Sequence, residues 1–189
     1  MKLISGKLDR LLLNNLKVPM LISYIFWFAI VLLIHELGHL AAARVCSVTV
    51  TEFGLGWGPK VFGFKLGEVE YKLHALPIGA YVRLDMCELQ RRPLSQQVLI
   101  LLAGINVNLV AYALTIGTAF STMNLLLAAT NLLPLYQQDG WKCGMVMLRA
   151  LLQRKSAMVE WTFTIAGSGI SLALFIAFAL RHYLSPHFN

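Results

Sequence analysis

The segment His35-Glu36-Leu37-Gly38-His39 places two histidines four residues apart, with a glutamate directly after the first. On an α-helix, residues i and i+4 lie on one face, so both imidazoles can reach one metal ion. This is an HExxH pattern, in which zinc acidifies a bound water and the glutamate takes its proton. The residues therefore predict a Zn²⁺ site with His35 and His39 as metal ligands and Glu36 as the catalytic base.

A catalytic zinc site normally has three protein ligands and one water, so a further ligand is needed. Asp139 is the only acidic residue between Glu88 and Glu160. It follows Asn131-Leu132-Leu133-Pro134, where the proline predicts a break in a helix. Asp139 is thus a candidate ligand. The alternative is that it caps a helix that restarts at Gly140, and the residues alone leave both open.

The elements that must position these residues are apolar. The chain is 58% hydrophobic and only 13% charged, whereas soluble domains are about 25% charged. Spanning a bilayer takes about 20 apolar residues. We therefore predict an all-α polytopic membrane protein with about four transmembrane helices. The candidate spans are Leu21–Ala43, Val98–Phe120, a short Leu125–Leu135 that resumes as a broken helix over Gly140–Leu152, and Trp161–Leu180.

The loop between the first two spans, Arg44–Pro93, differs from the rest of the chain. Glu68–Ala75 alternates polar and apolar residues, as a half-buried strand does. Val61–Phe64 precedes it, and Gly67 is suited to a turn. This pattern predicts a membrane-associated β-hairpin.

The predicted organisation has three parts: an N-terminal interfacial segment (1–19) on the membrane lipid, a core (20–183) that includes the 44–93 loop, and a tail (184–189). Most of the 16 Lys and Arg residues lie in 44–93 and 137–160. The positive-inside rule places these on the cytoplasmic side of a cell inner or plasma membrane, with the active site facing the cytoplasm. The net charge of +7 comes without a basic patch interleaved with aromatics, so no nucleic acid partner is expected.

The two motifs together resemble the paired HExxH and NxxPxxxxDG signatures of the site-2 protease family. That resemblance implies that Asp139 is the third zinc ligand. It also implies a zinc metalloendopeptidase that cleaves transmembrane segments of membrane proteins, as in regulated intramembrane proteolysis. Asn131 and Pro134 break the third helix and are expected to help orient an extended substrate.

Ala103–Asn108 is similar to the family's AGPxxN segment, with Ile105 in place of the usual proline. Asn108 is then expected near the active site, holding the substrate backbone or the oxyanion; the alternative is an interhelical hydrogen bond. No PDZ domain is expected between the first two spans, which indicates a short form. Two other functions remain open, a zinc-binding membrane transporter or sensor and an inactive protease-like scaffold. The sequence indicates no oligomeric state.

Overall fold

The computed structural model describes residues 2–152 and 157–184. In chain order these form α1 (Lys2–Val45), β1 (Val50–Leu66), β2 (Val69–Leu84), α2 (Met86–Arg91), α3 (Leu94–Leu114), α4 (Ala119–Leu132), α5 (Asp139–Leu152) and α6 (Ala157–Leu184). The predicted tail lies outside the described residues, apart from residue 184. The predicted N-terminal interfacial segment is helical from residue 2 and continuous with the first span, since α1 runs through Pro19. Its place on the lipid stays a prediction.

Three of these helices contain segments long and apolar enough to cross a membrane: Pro19–Val45, Leu94–Leu114 and Met158–Phe178. This agrees with a helical, multi-pass membrane protein. A fourth single-helix span is not found among the described residues. The α4 helix has 14 residues, or roughly 21 Å, which is short of the roughly 30 Å hydrocarbon layer.

The boundaries of α3 and α4 explain this difference. The second span was predicted over Val98–Phe120, but α3 ends at Leu114 and Gly117 adopts a left-handed φ of 89°. The Thr118 side chain then caps α4 by accepting a hydrogen bond from the Ser121 amide. At the other end, α4 stops before Pro134 and α5 begins at Asp139. The predicted broken helix is therefore confirmed as two short helices.

The predicted hairpin is confirmed, with its turn at Gly67 (φ 63°). It is longer than predicted, because β1 begins at Val50 and β2 continues to Leu84. Gly56 and Gly58, both at positive φ, let β1 bend. Residues 52–55 of β1 therefore pair with two separate segments of β2. Leu55, for example, lies opposite both Ala80 and Leu73. Residues 80–84 form one edge of the sheet.

Ion pairs fix the polar face of this sheet. Lys72 lies 3.1 Å from the Glu52 carboxylate and 3.2 Å from that of Glu70. The hydrogen bond to Glu52 raises the pKa of Lys72 above its usual value. The hydrogen bond from Lys60 lowers the pKa of Glu70. Both charges are therefore retained over the neutral range, and the pair between Lys72 and Glu52 links β2 to β1.

Helices α1, α4 and α5 pack around α3, whereas α6 packs on α5. A Cβ on Gly38 of α1 would lie 2.8 Å from the Ala103 carbonyl oxygen of α3, so these two backbones approach as closely as a glycine allows. A buried apolar cluster joins the end of α1 to the base of the hairpin, α2, α3 and α5; it includes Leu40, Ala43, Val48, Phe53, Leu89, Ile100, Leu101, Cys143 and Val146. This cluster holds the C-terminal part of α1 against the start of α5.

Candidate metal centre

Three side chains meet between α1 and α5. His35 and His39 lie one turn apart on α1 and are buried, and their Nε2 atoms are 3.2 Å apart. Asp139 is the first residue of α5 and is also buried. Its Oδ2 lies 2.9 Å from His35 Nε2 and 3.0 Å from His39 Nε2. The structure thus brings together the three residues predicted as ligands, which are 100 and 104 positions apart in the chain.

The other ring nitrogen of each histidine contacts an oxygen that can only accept. His39 Nδ1 lies 2.7 Å from the Ile100 backbone carbonyl. His35 Nδ1 lies 2.6 Å from Oδ1 of the Asn108 amide. Each Nδ1 must therefore carry the proton and donate it. In a neutral ring this leaves a lone pair on Nε2, which is the arrangement of metal-binding histidines.

Two lone pairs and a carboxylate oxygen then face one another with no proton between them. Without a cation, these electron-pair donors would repel one another and remain unsatisfied in a buried site. One divalent cation satisfies all three donors. Zinc–ligand bonds of about 2.0–2.1 Å in a tetrahedron separate the ligand atoms by about 3.3 Å. The observed separations of 2.9, 3.0 and 3.2 Å fit such a site, and three protein ligands leave a fourth position open.

Asp139 is held by its neighbours in α5. Its second oxygen, Oδ1, lies 3.0 Å from the Lys142 ammonium. No capping hydrogen bond from this carboxylate is present within residues 2–152, so the arrangement favours a ligand over a helix cap. A Cβ on Gly140 would overlap the carbonyl oxygen of Leu132. The start of α5 therefore fits tightly against the end of α4, which sets the position of Asp139.

The metal site opens into a cavity of about 760 Å³. Glu36 lines it and is only partly buried, and its carboxylate makes no hydrogen bond within the described part of the chain. A carboxylate so placed is free to bind a proton. Asn131 also lines the cavity, with its amide donating to the Leu127 carbonyl at 3.1 Å. Pro134 is exposed in the break after α4 and is not among the cavity's lining residues.

The sheet edge forms another wall of the cavity. Residues 79–84 line it, together with Trp57 of β1. Gly79 has a φ of 93°, and a Cβ there would lie 2.5 Å from the Trp57 indole nitrogen. A glycine is thus required where the strand approaches the indole ring.

Asn108 is fully buried and does not line the cavity. Its amide bonds to His35, to the Val31 carbonyl and to the Asn124 side chain. This arrangement favours the interhelical alternative over a contact with substrate. Sequence reasoning did not single out Asn124, although a polar residue inside an apolar helix is a signal of interhelical hydrogen bonding.

A model of peptidase family M50 matches residues 23–122, more than half of the chain. The chain belongs to peptidase family M50. The matched segment contains His35, Glu36, His39 and Asn108, whereas Asp139 lies beyond it. This agrees with the resemblance to site-2 proteases. Between α1 and α3 this M50 chain carries the hairpin and α2, and no PDZ domain lies within these described residues.

Relatives of this M50 chain include bacterial metalloproteases. A provisionally named zinc metalloprotease of Clostridium acetobutylicum is 31% identical over 165 residues, covering 78% of this chain and 48% of the relative. Another from Clostridium perfringens is 38% identical over 104 residues, covering 50% and 31%. The regulator of sigma-W protease RasP of Bacillus subtilis is 40% identical over 67 residues, covering 35% and 16%. The chain therefore spans less than half the length of these relatives.

Proposed function

We propose that this chain is an intramembrane zinc metalloendopeptidase that cleaves transmembrane segments of other membrane proteins. The observation that carries the proposal is the meeting of His35 Nε2, His39 Nε2 and Asp139 Oδ2 at a cavity that Glu36 also lines. Both imidazoles have their Nδ1 protons bound to carbonyl oxygens. The names of the M50 relatives support zinc as the metal.

When bound, zinc polarises the scissile carbonyl and lowers the pKa of water. The chain's own residues supply the remaining chemistry. The Glu36 carboxylate accepts the proton of the attacking water and transfers it to the nitrogen of the leaving amine. Asn108 orients the His35 ring, and the Ile100 carbonyl orients the His39 ring. Lys142 holds the Asp139 oxygen that does not face the histidines.

The substrate must be extended near the scissile bond, because the hydrogen bonds of a helix shield its carbonyl groups. The edge formed by residues 80–84 lines the cavity and can pair with an extended segment as an added strand. Asn131 lies on the same cavity and is positioned to contact that segment. Pro134 contributes by ending α4, which separates it from α5 and leaves room for Asp139.

The site lies within the first membrane span. His39 and His35 are six and ten residues from the end of α1 at Val45, or roughly 9 and 15 Å at about 1.5 Å per residue. Ionisable groups at such depth usually serve a function. We place this end of α1 at the cytoplasmic face of a cell inner or plasma membrane, since most Lys and Arg residues lie on that side. The α4–α5 pair then forms the remaining, broken crossing.

The test combines metal content, measured in purified, detergent-solubilised protein, with cleavage, measured after reconstitution into liposomes. Elemental analysis should give about one zinc per chain for the wild type and for Glu36→Gln, and a large loss for Asp139→Ala. His74→Ala is the matched control, because His74 lies on the hairpin and bonds to the Gly58 carbonyl outside the cavity. It should keep its zinc.

Cleavage is measured in liposomes on a library of single-span segments fused to a soluble reporter. Glu36→Gln should lower the rate by about 10²–10⁴-fold, the usual contribution of a general base. Unchanged cleavage in Glu36→Gln would reject the mechanism, and full zinc in Asp139→Ala would remove Asp139 from the site. Zinc binding without cleavage in the wild type would favour a transporter or sensor. A wild type that takes up no zinc would be an inactive scaffold.

A further inference from the structure

We propose that Asn124 is a positioning residue of the metal site, acting through Asn108 to fix which ring nitrogen of His35 carries the proton. The inference rests on the proposed zinc function. Asn124 lies on α4, Asn108 on α3 and His35 on α1, so the connection crosses three helices. Both asparagines are fully buried, at 0% exposure. Neither lines the cavity.

The hydrogen bonds form a continuous series. Asn124 Nδ2 donates to the Phe120 carbonyl at 2.9 Å. Asn124 Oδ1 accepts from Asn108 Nδ2 at 2.7 Å. Asn108 Oδ1 accepts from His35 Nδ1 at 2.6 Å. His35 Nε2 then faces Asp139 and His39.

The direction of these hydrogen bonds is set by backbone carbonyl groups, which can only accept. The backbone carbonyl of Phe120 only accepts, so Asn124 must present Nδ2 to it and Oδ1 to Asn108. Asn108 must then present Nδ2 to Asn124, which points its Oδ1 at His35. The Val31 carbonyl, 3.3 Å from Asn108 Nδ2, enforces the same orientation. A rotated Asn108 amide would place two oxygens against each other at Val31 and at Asn124.

The orientation of the Asn108 amide affects the metal site through His35. With Asn108 Oδ1 fixed, His35 must donate through Nδ1 and offer the lone pair of Nε2 to the cation. If Asn124 is replaced by an apolar residue, only the longer contact to Val31 still opposes rotation of the Asn108 amide. The His35 ring then loses its single tautomer, and a fraction of the molecules presents a protonated Nε2 to the metal.

The experiment uses Asn124→Leu, Asn108→Leu and the double variant in full-length protein. Ser121→Ala is the matched control, since buried Ser121 of α4 donates to the Tyr112 carbonyl of α3 at 3.3 Å and thus joins the same two helices. Asn124→Asp is the conservative variant, because a protonated carboxyl can still donate to Phe120 and accept from Asn108. Circular dichroism and thermal melting verify that each variant is folded.

The first measurement is the ¹⁵N shift of the His35 ring in metal-free protein; the second is Zn²⁺ affinity by competition with a chelating dye. We expect a single Nδ1–H tautomer in the wild type, Ser121→Ala and Asn124→Asp, and a mixture in Asn124→Leu. Loss of a hydrogen-bond partner behind a metal ligand costs about 10–100-fold in affinity. We expect a loss in this range for Asn108→Leu and about tenfold for Asn124→Leu. The double variant should match Asn108→Leu, because Asn124 acts only through Asn108.

Three results would overturn the inference: one tautomer and wild-type affinity in Asn124→Leu, an Asn124 effect that adds in full to that of Asn108→Leu, or an equal loss in Ser121→Ala. The two proposals are separable. A wild type that binds no zinc, but whose His35 tautomer still depends on Asn124, would reject the proposed function and support the positioning role.

Discussion

Replacing Gly104 by alanine tests directly whether a metal ion occupies the space between α1 and α3. Gly104 lies on α3 and faces the two histidines. A Cβ there would be 2.5 Å from His39 Nε2 and 2.8 Å from His35 Nε2. The methyl group would thus contact the same two nitrogens that we propose bind the cation.

The expected loss of Zn²⁺ affinity follows from these distances. An ordinary contact of a Cβ is at least 3.4 Å, so the rings must move by about 0.6–0.9 Å, whereas metal–ligand distances tolerate about 0.2 Å. Overpacking of a core costs about 1–3 kcal/mol, which a protein with about 5–15 kcal/mol of stability survives. Gly104→Ala should therefore fold and bind Zn²⁺ about 100-fold more weakly, which corresponds to about 2.7 kcal/mol.

The assay is titration of Zn²⁺ against a chelating dye, with a thermal melt of the metal-free protein alongside. Gly169→Ala in α6 is the control, because no atom lies within 4 Å of its added Cβ. It should keep the wild-type affinity and gain up to about 1 kcal/mol from the alanine in the helix. Wild-type affinity in a folded Gly104→Ala protein would refute the reasoning, since the cation would then not lie between these nitrogens.

Further substitutions separate the metal site from the rest of the cavity. Gly140→Ala should also lose zinc, because its Cβ would collide with the Leu132 carbonyl and displace the start of α5; retained zinc would contradict this. Gly79→Ala should keep zinc but slow cleavage in liposomes. The left-handed φ costs a non-glycine residue about 1–2 kcal/mol, and the added methyl group would collide with Trp57. Unchanged cleavage would exclude this sheet edge from substrate binding. Glu52→Gln should lower the melting temperature only slightly, because its ion pairs with Lys72 and Arg83 lie at the surface of the sheet, where such pairs contribute about 1 kcal/mol or less. A large loss of zinc would argue against that limited role.

The proximity of His35, His39 and Asp139 could be predicted from the sequence, because much of their placement depends on local rules. The i, i+4 spacing of His35 and His39 puts them on one helix face whatever the surroundings. The break at Pro134 separates α4 from α5, and Asp139 was a candidate because few acidic residues are available. The turn at Gly67 likewise follows from local pattern and backbone preference.

Other features depend on tertiary contacts that spacing does not encode. Asn108 lies in the predicted segment, but which neighbour its amide meets depends on how α1, α3 and α4 pack. The proposed role of Asn124 likewise depends on how these helices pack. The length of the hairpin was underestimated because residues 50–57 pair with residues far along the chain, and glycines interrupt their alternation. The end of α3 was misplaced because Thr115–Thr118 is moderately apolar, yet its glycine turn and threonine cap end one helix and begin another.

His39 and Asp139 are 100 residues apart in the chain and lie in contact. A metal ion bound between them would therefore affect the stability of the folded chain. A bound ion there acts as a cross-link that closes a loop of this length, and an ideal cross-link of about 100 residues removes about 4–5 kcal/mol of unfolded-chain entropy. Before a metal binds, α5 lacks that tether and is held near α1 by the buried apolar cluster. A newly inserted, metal-free chain is therefore expected to be less stable than the zinc-bound protein, a difference that thermal melting with and without Zn²⁺ would measure.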